Sequence, residues 1–155
     1  LGDVYKRQGL SMVAALDMVV AGESTRFTMG YTAAGLSPDG TSTFFLSRVV
    51  GLRRATELVL TNRMLSAAEA LDWGLVNRVV PDDEVVERAT ELARSLAAGP
   101  TAAFGKAKRL LVAGASQALE AAMEAESFAI AEQIRHPEAA EGVTAFLEKR
   151  PPQYR

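Results

Sequence analysis

Every β-type run in this sequence is short and is halted by a residue that strands carry poorly. Met18-Val19-Val20-Ala21 stops at Gly22, Arg26-Phe27-Thr28-Met29 at Gly30, and Leu75-Val76-Asn77-Arg78-Val79-Val80 at Pro81. Glycine in a strand loses much backbone entropy and packs nothing, and proline has no N–H for the ladder. Each of these strands is therefore expected to be short. Between the runs, apolar residues recur at helical spacing. Leu10, Val13, Ala14 and Leu16 predict a short helix. Residues 41–50 predict another, with Phe44, Phe45 and Val49 apolar and Gly51 closing it. RRATELVL (53–60) gives a third, with Ala55, Leu58 and Val59 on one face. Short strands interleaved with helices imply α/β layering.

Two local signals fix helix starts in the middle of the chain. Ser66-Ala67-Ala68-Glu69 is a capping box, in which serine and glutamate side chains each accept from the other's backbone N–H. Pro81-Asp82-Asp83 opens a longer helix with an apolar stripe of Val86, Ala89, Ala93 and Leu96. Beyond Gly99-Pro100 the pattern is helical alone. One helix covers 101–112. Ser116 is expected to cap a second, reaching about residue 135 and carrying Leu119, Met123, Ile130 and Ile134. His136-Pro137 breaks it, and a last helix holds Val143, Phe146 and Leu147. Such a tail can finish the core or pack against another subunit.

Composition narrows the function. With 155 residues, 48% of them apolar, the chain has material for one domain's core. A net charge of −2 offers no broad cationic face for nucleic acid. With no cysteine and a single histidine, His136, thiolate chemistry and Cys- or His-rich metal sites are excluded. His136 beside Pro137 reads as a helix cap, and Glu120, Glu124, Glu126 and Glu132 read as a solvated face. Lys106, Lys108 and Arg109 read as surface charge, with a phosphorylated ligand as the functional alternative. No apolar run reaches membrane-spanning length and no secretory pattern opens the chain, so a cytoplasmic protein is the expectation.

The opening LGDVYKRQ shares neither composition nor periodicity with GLSMVAALDMVVAG after it. It resembles adapter read-through in assembled environmental DNA, and residues 1–8 are expected to be foreign to the fold. The chain would then be the C-terminal part of a longer protein. The most suggestive chemistry lies in GLSPDGTST (35–43), where Asp39 stands between Pro38 and Gly40. Proline sets φ, aspartate caps its own backbone and glycine accepts positive φ, so this is first of all a turn.

Five blocks in order decide whether it is more than that. They are DMVVAGESTRF (17–27), GLSPDGTST (35–43), VVGLRRATELVLT (49–61), LSAAEALDWGLVNRVV (65–80) and AFLEKRPP (145–152). Together they resemble the enoyl-CoA hydratase/isomerase, or crotonase, family, and the resemblance runs from Gly9 to Arg155. It implies the C-terminal part of a crotonase-like ββα superhelix over 9–98. An all-helical region over 99–155 would serve oligomerisation and cover the site. It also implies an acyl-CoA substrate, with CoA entering as part of the substrate and with no metal or other cofactor. Homotrimers or hexamers are expected, without nucleic acid or membrane partners.

Family members hold the thioester oxygen with two backbone N–H groups placed where enolate charge develops. The resemblance puts one of them in a glycine-rich turn at Gly9, just before the Ser11 helix. The other belongs to a half absent from this sequence. Hydratases of the family use two glutamates, whose positions correspond here to Ser11 and Tyr31, so ordinary hydration is disfavoured. Asp39 matches the aspartate of dienoyl-CoA and ring-epoxide isomerases and is identified as the proton shuttle, desolvated by Leu36, Phe44 and Phe45. The closest likeness is to the ring-epoxide phenylacetyl-CoA isomerase group. Tyr31, Ala34 and Pro38 match positions lining the acyl pocket, and Phe146 and Lys149 match a segment that meets CoA. The competing expectations are a hydrolase or dehalogenase with Asp39 as nucleophile, and a non-catalytic acyl-CoA-binding or scaffold protein.

Overall fold

In the computed structural model, residues 2–154 are described, with side chains from Gly9 onward. They fall into two compact units, one up to Thr90 and one from Glu91.

The first unit begins with α1 (Gly2–Ala15), which buries Leu10, Ser11 and Ala14 against the core. The opening run read as foreign is described by backbone alone, as the first turns of this helix, while Leu1 lies outside the described residues. Strands β1 (Val20–Gly22) and β2 (Arg26–Phe27) follow, then a 3-10 turn at Thr32–Ala34. Helices α2 (Ser42–Val50) and α3 (Leu52–Thr61) share Gly51 as their junction. Gly51 adopts φ 82° and ψ 154°, a region open essentially to glycine alone, so the chain can leave one helix and enter the next at once.

Next come β3 (Leu65–Ser66), α4 (Ala67–Asp72) and β4 (Arg78–Val80). The capping box is present as read: Ser66 Oγ accepts from Glu69 N, and Glu69 Oε2 accepts from Ser66 N at 2.9 Å. Arg63 adds a bond to Glu69 Oε1 at 2.9 Å. Led by the Ser66 backbone bond, these contacts hold the Glu69 carboxyl down at about 2.

Strand β1 pairs parallel with β4, Ala21 opposite Val79, and β2 pairs antiparallel with β3, Phe27 opposite Leu65. A parallel pair needs a long crossover, and here the whole stretch from β2 to α4 supplies it. Side chains extend the β1–β4 ladder at both ends. Asn77 Oδ1 accepts from Val19 N at 2.7 Å, and Asp82 Oδ1 accepts from Ser24 N at 3.0 Å. The core gathers Phe27, Met29, Tyr31, Leu46, Leu58 and Leu65.

The strands are shorter than the apolar runs suggest. Val19 N goes to the Asn77 side chain rather than to the ladder, so β1 starts at Val20 and runs through Gly22. Thr28 Oγ1 bonds Asn62 O, after β2 has ended. Leu75 and Val76 are buried in the turn after α4, both N–H groups on Ala70 O, and do not join β4.

A 3-10 turn at Asp82–Glu84 leads into α5 (Val85–Ala97). The apolar stripe read on this helix is open: Val86 is 78% exposed, and Ala89, Ala93 and Leu96 are exposed too.

In the second unit, α6 spans Thr101–Gly114, α7 Leu119–Gln133 and α8 Pro137–Glu148. Ser116 does not cap α7. Its Oγ bonds back to Ala113 O at 3.3 Å, and the helix starts after an extended Ala118 with no side-chain cap. His136 is the cap read from the sequence, its Nδ1 accepting from Glu138 N. Glu138 reaches back to the start of α6, where Oε1 accepts from Ala102 N at 3.0 Å and Oε2 from Ala103 N at 3.1 Å. These orphan donors would otherwise need water. Beyond α8, Arg150 bonds both Glu141 carboxylate oxygens, at 2.7 and 3.0 Å, and holds that carboxyl at about 2.

Much apolar surface stays open here, including Leu111, Leu119, Phe128, Ile134 and Leu147. The glutamates Glu120, Glu124, Glu126 and Glu132 are exposed as expected. No helix among the described residues is long and apolar enough to cross a membrane.

Candidate active site

The loop after β2 doubles back on itself because Tyr31 anchors both its ends. Tyr31 O accepts from Ala34 N at 2.9 Å and from Leu36 N at 3.1 Å, with Gly35 in the left-handed region. The Tyr31 ring is in the core at 7% exposure. Its hydroxyl emerges at the other side of the loop and donates to Asp39 Oδ1 at 2.7 Å. Two residues singled out in the sequence are thus brought into direct contact.

Asp39 is also held through its backbone. Its carbonyl accepts from Ser42 N at 3.2 Å and from Ser42 Oγ at 2.7 Å, and the Ser42 side chain is itself buried. Gly40 and Thr41 take φ of 60° and 62° in succession. A β-branched residue at positive φ is a strained conformation, persisting only where its surroundings impose it. Here the imposing contacts are the Ser42 bonds on one side and, on the other, Thr41 O accepting from Phe44 N and Phe45 N at the start of α2. The turn lies one residue later than read: Ser42 N closes it on Asp39 O around Gly40-Thr41, with Gly40 at positive φ as expected, while the Asp39 carboxylate meets Tyr31 and not its own backbone.

With Oδ1 taken by Tyr31, Oδ2 has no hydrogen-bond partner among the described residues. A carboxylate so arranged has one oxygen fixed and the other open to a proton or to an electrophilic carbon. The expected desolvation is absent from this chain. Asp39 is exposed, Leu36 is 58% exposed and Phe44 51%, with only Phe45 and Pro38 half-buried. Phe44 instead stacks edge-on against Phe45 and carries the Arg48 guanidinium 3.6 Å from its ring centre. Ala34 is exposed on the same loop.

Gly9 departs from expectation. It lies inside α1 and not in a turn before it. A mid-helix amide points at the carbonyl four residues back, so a free donor at Gly9 would require the helix to begin there. Phe146, 82% exposed on α8, and Lys149, the exposed left-handed residue that ends it, belong to the second unit. In that unit Lys106 pairs with Glu132 at 3.0 Å, beside Arg109, Arg135 and His136 in an open cleft of about 480 Å³. Among the described residues, no group of three or more histidines and carboxylates is placed to hold a metal ion. Ser42 and the Thr41 conformation were not singled out from the sequence. The Ser at the third position after Asp39 was the available signal, since such hydroxyls commonly bond back across a turn.

Comparison with known proteins agrees with the sequence resemblance. The family model described as enoyl-CoA hydratase/isomerase matches residues 7–155. The chain is 40% identical over 141 residues to 4-chlorobenzoyl coenzyme A dehalogenase-1 of Arthrobacter sp, covering 91% of this chain and 51% of that protein. It is 36% identical over 146 residues to 1,2-epoxyphenylacetyl-CoA isomerase of Escherichia coli K12, covering 94% and 56%. The crystal structure of an enoyl-CoA hydratase from Polaromonas sp. JS666 superposes with a TM-score of 0.90 at 34% identity, over 96% of this chain and 58% of that one. The chain spans about half the length of the curated relatives it matches.

Proposed function

Because this chain belongs to the enoyl-CoA hydratase/isomerase family, we propose that it is the C-terminal part of an acyl-CoA isomerase with Asp39 as proton shuttle. The observation that carries this reading is the 2.7 Å bond from Tyr31 to Asp39 Oδ1 on a strained turn. That bond orients one carboxylate and leaves Oδ2 to take a proton from one carbon and return it to another. The proton removed equals the proton returned, so isomerisation needs no second acid. Ser11 and Tyr31, which occupy the positions of the paired hydratase glutamates, carry no carboxylate, and this disfavours hydration.

In the complete protein, the electron pair left by the proton moves onto the thioester oxygen. A backbone N–H at Gly9, freed by a helix start at that residue, and a donor from outside this chain would stabilise the resulting enolate. Reprotonation of the enolate at the second carbon shifts the double bond. Where the neighbouring carbon carries an epoxide oxygen, the enolate electrons instead form the new double bond and break that C–O bond, and the shuttle returns its proton to the alkoxide. The acyl-CoA is substrate and no metal takes part. Tyr31, Ala34 and Pro38 would line the acyl pocket, and Phe146 and Lys149 would meet CoA. The domain would complete a ββα superhelix, with residues 99–155 assembling trimers or hexamers in the cytoplasm. The open apolar faces of α6, α7 and α8 support that assembly.

The test is Asp39→Asn in the complete protein, with turnover of unsaturated and epoxidised acyl-CoAs followed in D2O. The expected outcome is a loss of roughly 10²–10⁴-fold in rate, the usual contribution of a positioned acid/base, together with lost deuterium incorporation. Retained activity would sink the proposal. A covalent acyl or aryl adduct trapped on Asp39 would replace the shuttle with a nucleophile, as a dehalogenase requires. The 155 residues alone are expected to show no appreciable turnover.

A further inference from the structure

Ser11 is 4% exposed in α1, and its buried Oγ has no hydrogen-bond partner among the described residues. That is unusual for a serine in a helix, where the hydroxyl ordinarily bonds the carbonyl one turn back. Elsewhere in this chain it does so. Ser47 bonds Thr43 O, Thr56 bonds Leu52 O, Thr61 bonds Glu57 O, Thr90 bonds Val86 O, and Ser127 bonds Met123 O. Ser42, equally buried, directs its hydroxyl to Asp39 O. A buried hydroxyl with no partner is costly, and few are left so in a folded protein.

Its location suggests what satisfies it. A Cβ built on Gly40 would stand 3.5 Å from Ser11 Cβ and 3.7 Å from its Oγ. Ser11 therefore lies directly against the residue after Asp39, and the absence of a side chain at Gly40 leaves nothing between the hydroxyl and the turn. The same turn offers Asp39 Oδ2, which has no hydrogen-bond partner among the described residues. Gly40 is thus flanked by a buried, unpartnered hydroxyl from α1 and by an exposed carboxylate oxygen from the loop that water can reach.

We infer that Ser11 is a ligand-binding residue of the Asp39 site, its hydroxyl holding an oxygen atom of the bound acyl group or of a water beside it. The inference rests on the acyl-CoA reading given above. A serine hydroxyl donates and accepts, so it can hold a hydroxyl, an ether oxygen or water, whereas a plain hydrocarbon chain would leave it unpaired.

The experiment compares Ser11→Ala with the parent in the complete protein. Melting temperature is measured first, then affinity by calorimetry for saturated, unreactive acyl-CoAs, plain and hydroxylated at successive carbons. Melting is expected to stay unchanged or rise, because no bond inside the fold is lost. Affinity is expected to fall about tenfold, the effect of one hydrogen bond. If the loss is confined to the acyl-CoA hydroxylated at one carbon, the partner is an acyl oxygen; if it is equal across the series, the partner is water. Unchanged affinity throughout overturns the inference, as does a drop in melting temperature, which would mean that the hydroxyl is bonded within the fold. The Asp39→Asn turnover assay is read separately. An inactive Asp39→Asn with an unaffected Ser11→Ala removes Ser11 and keeps the shuttle. An active Asp39→Asn removes the shuttle, while the calorimetry still decides whether Ser11 meets ligand.

Discussion

Replacing Tyr31 by phenylalanine removes one oxygen atom and leaves the buried ring in place. It removes the 2.7 Å bond to Asp39 Oδ1. Hydrogen bonds to charged groups contribute about 1.5–3 kcal/mol. Asp39 is exposed, so water takes the vacated position and the expected loss drops to about 1 kcal/mol. Because the phenyl ring fills the same volume, no cavity cost adds to this. Trp73, the single tryptophan, lies in the same unit and reports urea unfolding by fluorescence. Measuring Tyr31→Phe, Asp39→Ala and the double variant isolates the pair. The cycle should give a coupling energy of about 1 kcal/mol, above the roughly 0.3–0.5 kcal/mol scatter of independent sites. Coupling within that scatter would refute the claim that Tyr31 holds the carboxylate, whatever the single variants cost.

Glu69 and Glu141 both titrate lower when folded, at about 2 against an ordinary 4.5. Each therefore binds protons more weakly in the folded chain, so its contribution is complete above about pH 4.5 and is lost as pH falls towards about 2. Urea midpoints across that window should fall less steeply for the Glu69→Gln, Glu141→Gln double variant than for the parent; parallel curves would contradict this. Leu58→Ala empties a fully buried position and should cost about 3 kcal/mol by the same fluorescence assay, with a value under 1 showing that the core closes over the gap. Gly22→Ala would drive its new methyl group into the Asp82 carboxylate that Ser24 N holds, and should lower the melting temperature by several degrees, whereas a neutral result would show that Asp82 can move aside.

What the sequence announced correctly was local chemistry. The Ser66–Glu69 box, the Gly51 junction and the His136 cap each depend on residues within one turn of chain, and each is found as read. Ser116 failed because a capping preference competes with an equally local alternative, the bond back to the helix just ended. Val86, Ala89, Ala93 and Leu96 are periodic, but periodicity identifies an apolar face without specifying what covers it, and no described residue does. The pairing of β1 with β4 and the approach of Ser11 to Gly40 join distant segments, and no window of sequence holds both partners. Asp39 and Tyr31 were both marked by resemblance, yet their direct bond depends on the loop doubling back, and only the coordinates reveal that.

Glu138 closes the start of α6 from 36 residues further along the chain. During synthesis that helix therefore emerges with bare amides and waits for its cap. At about 5–20 residues per second the wait is about 2–7 s, far longer than a helix needs to form or fray. Over that interval the first amides of α6 depend on water, and the His136-Pro137 turn delivers the carboxylate that ends the wait. Ribosome pausing ahead of Glu138 would prolong the exposed state, so codon choice in that stretch becomes part of how reliably the protein is made.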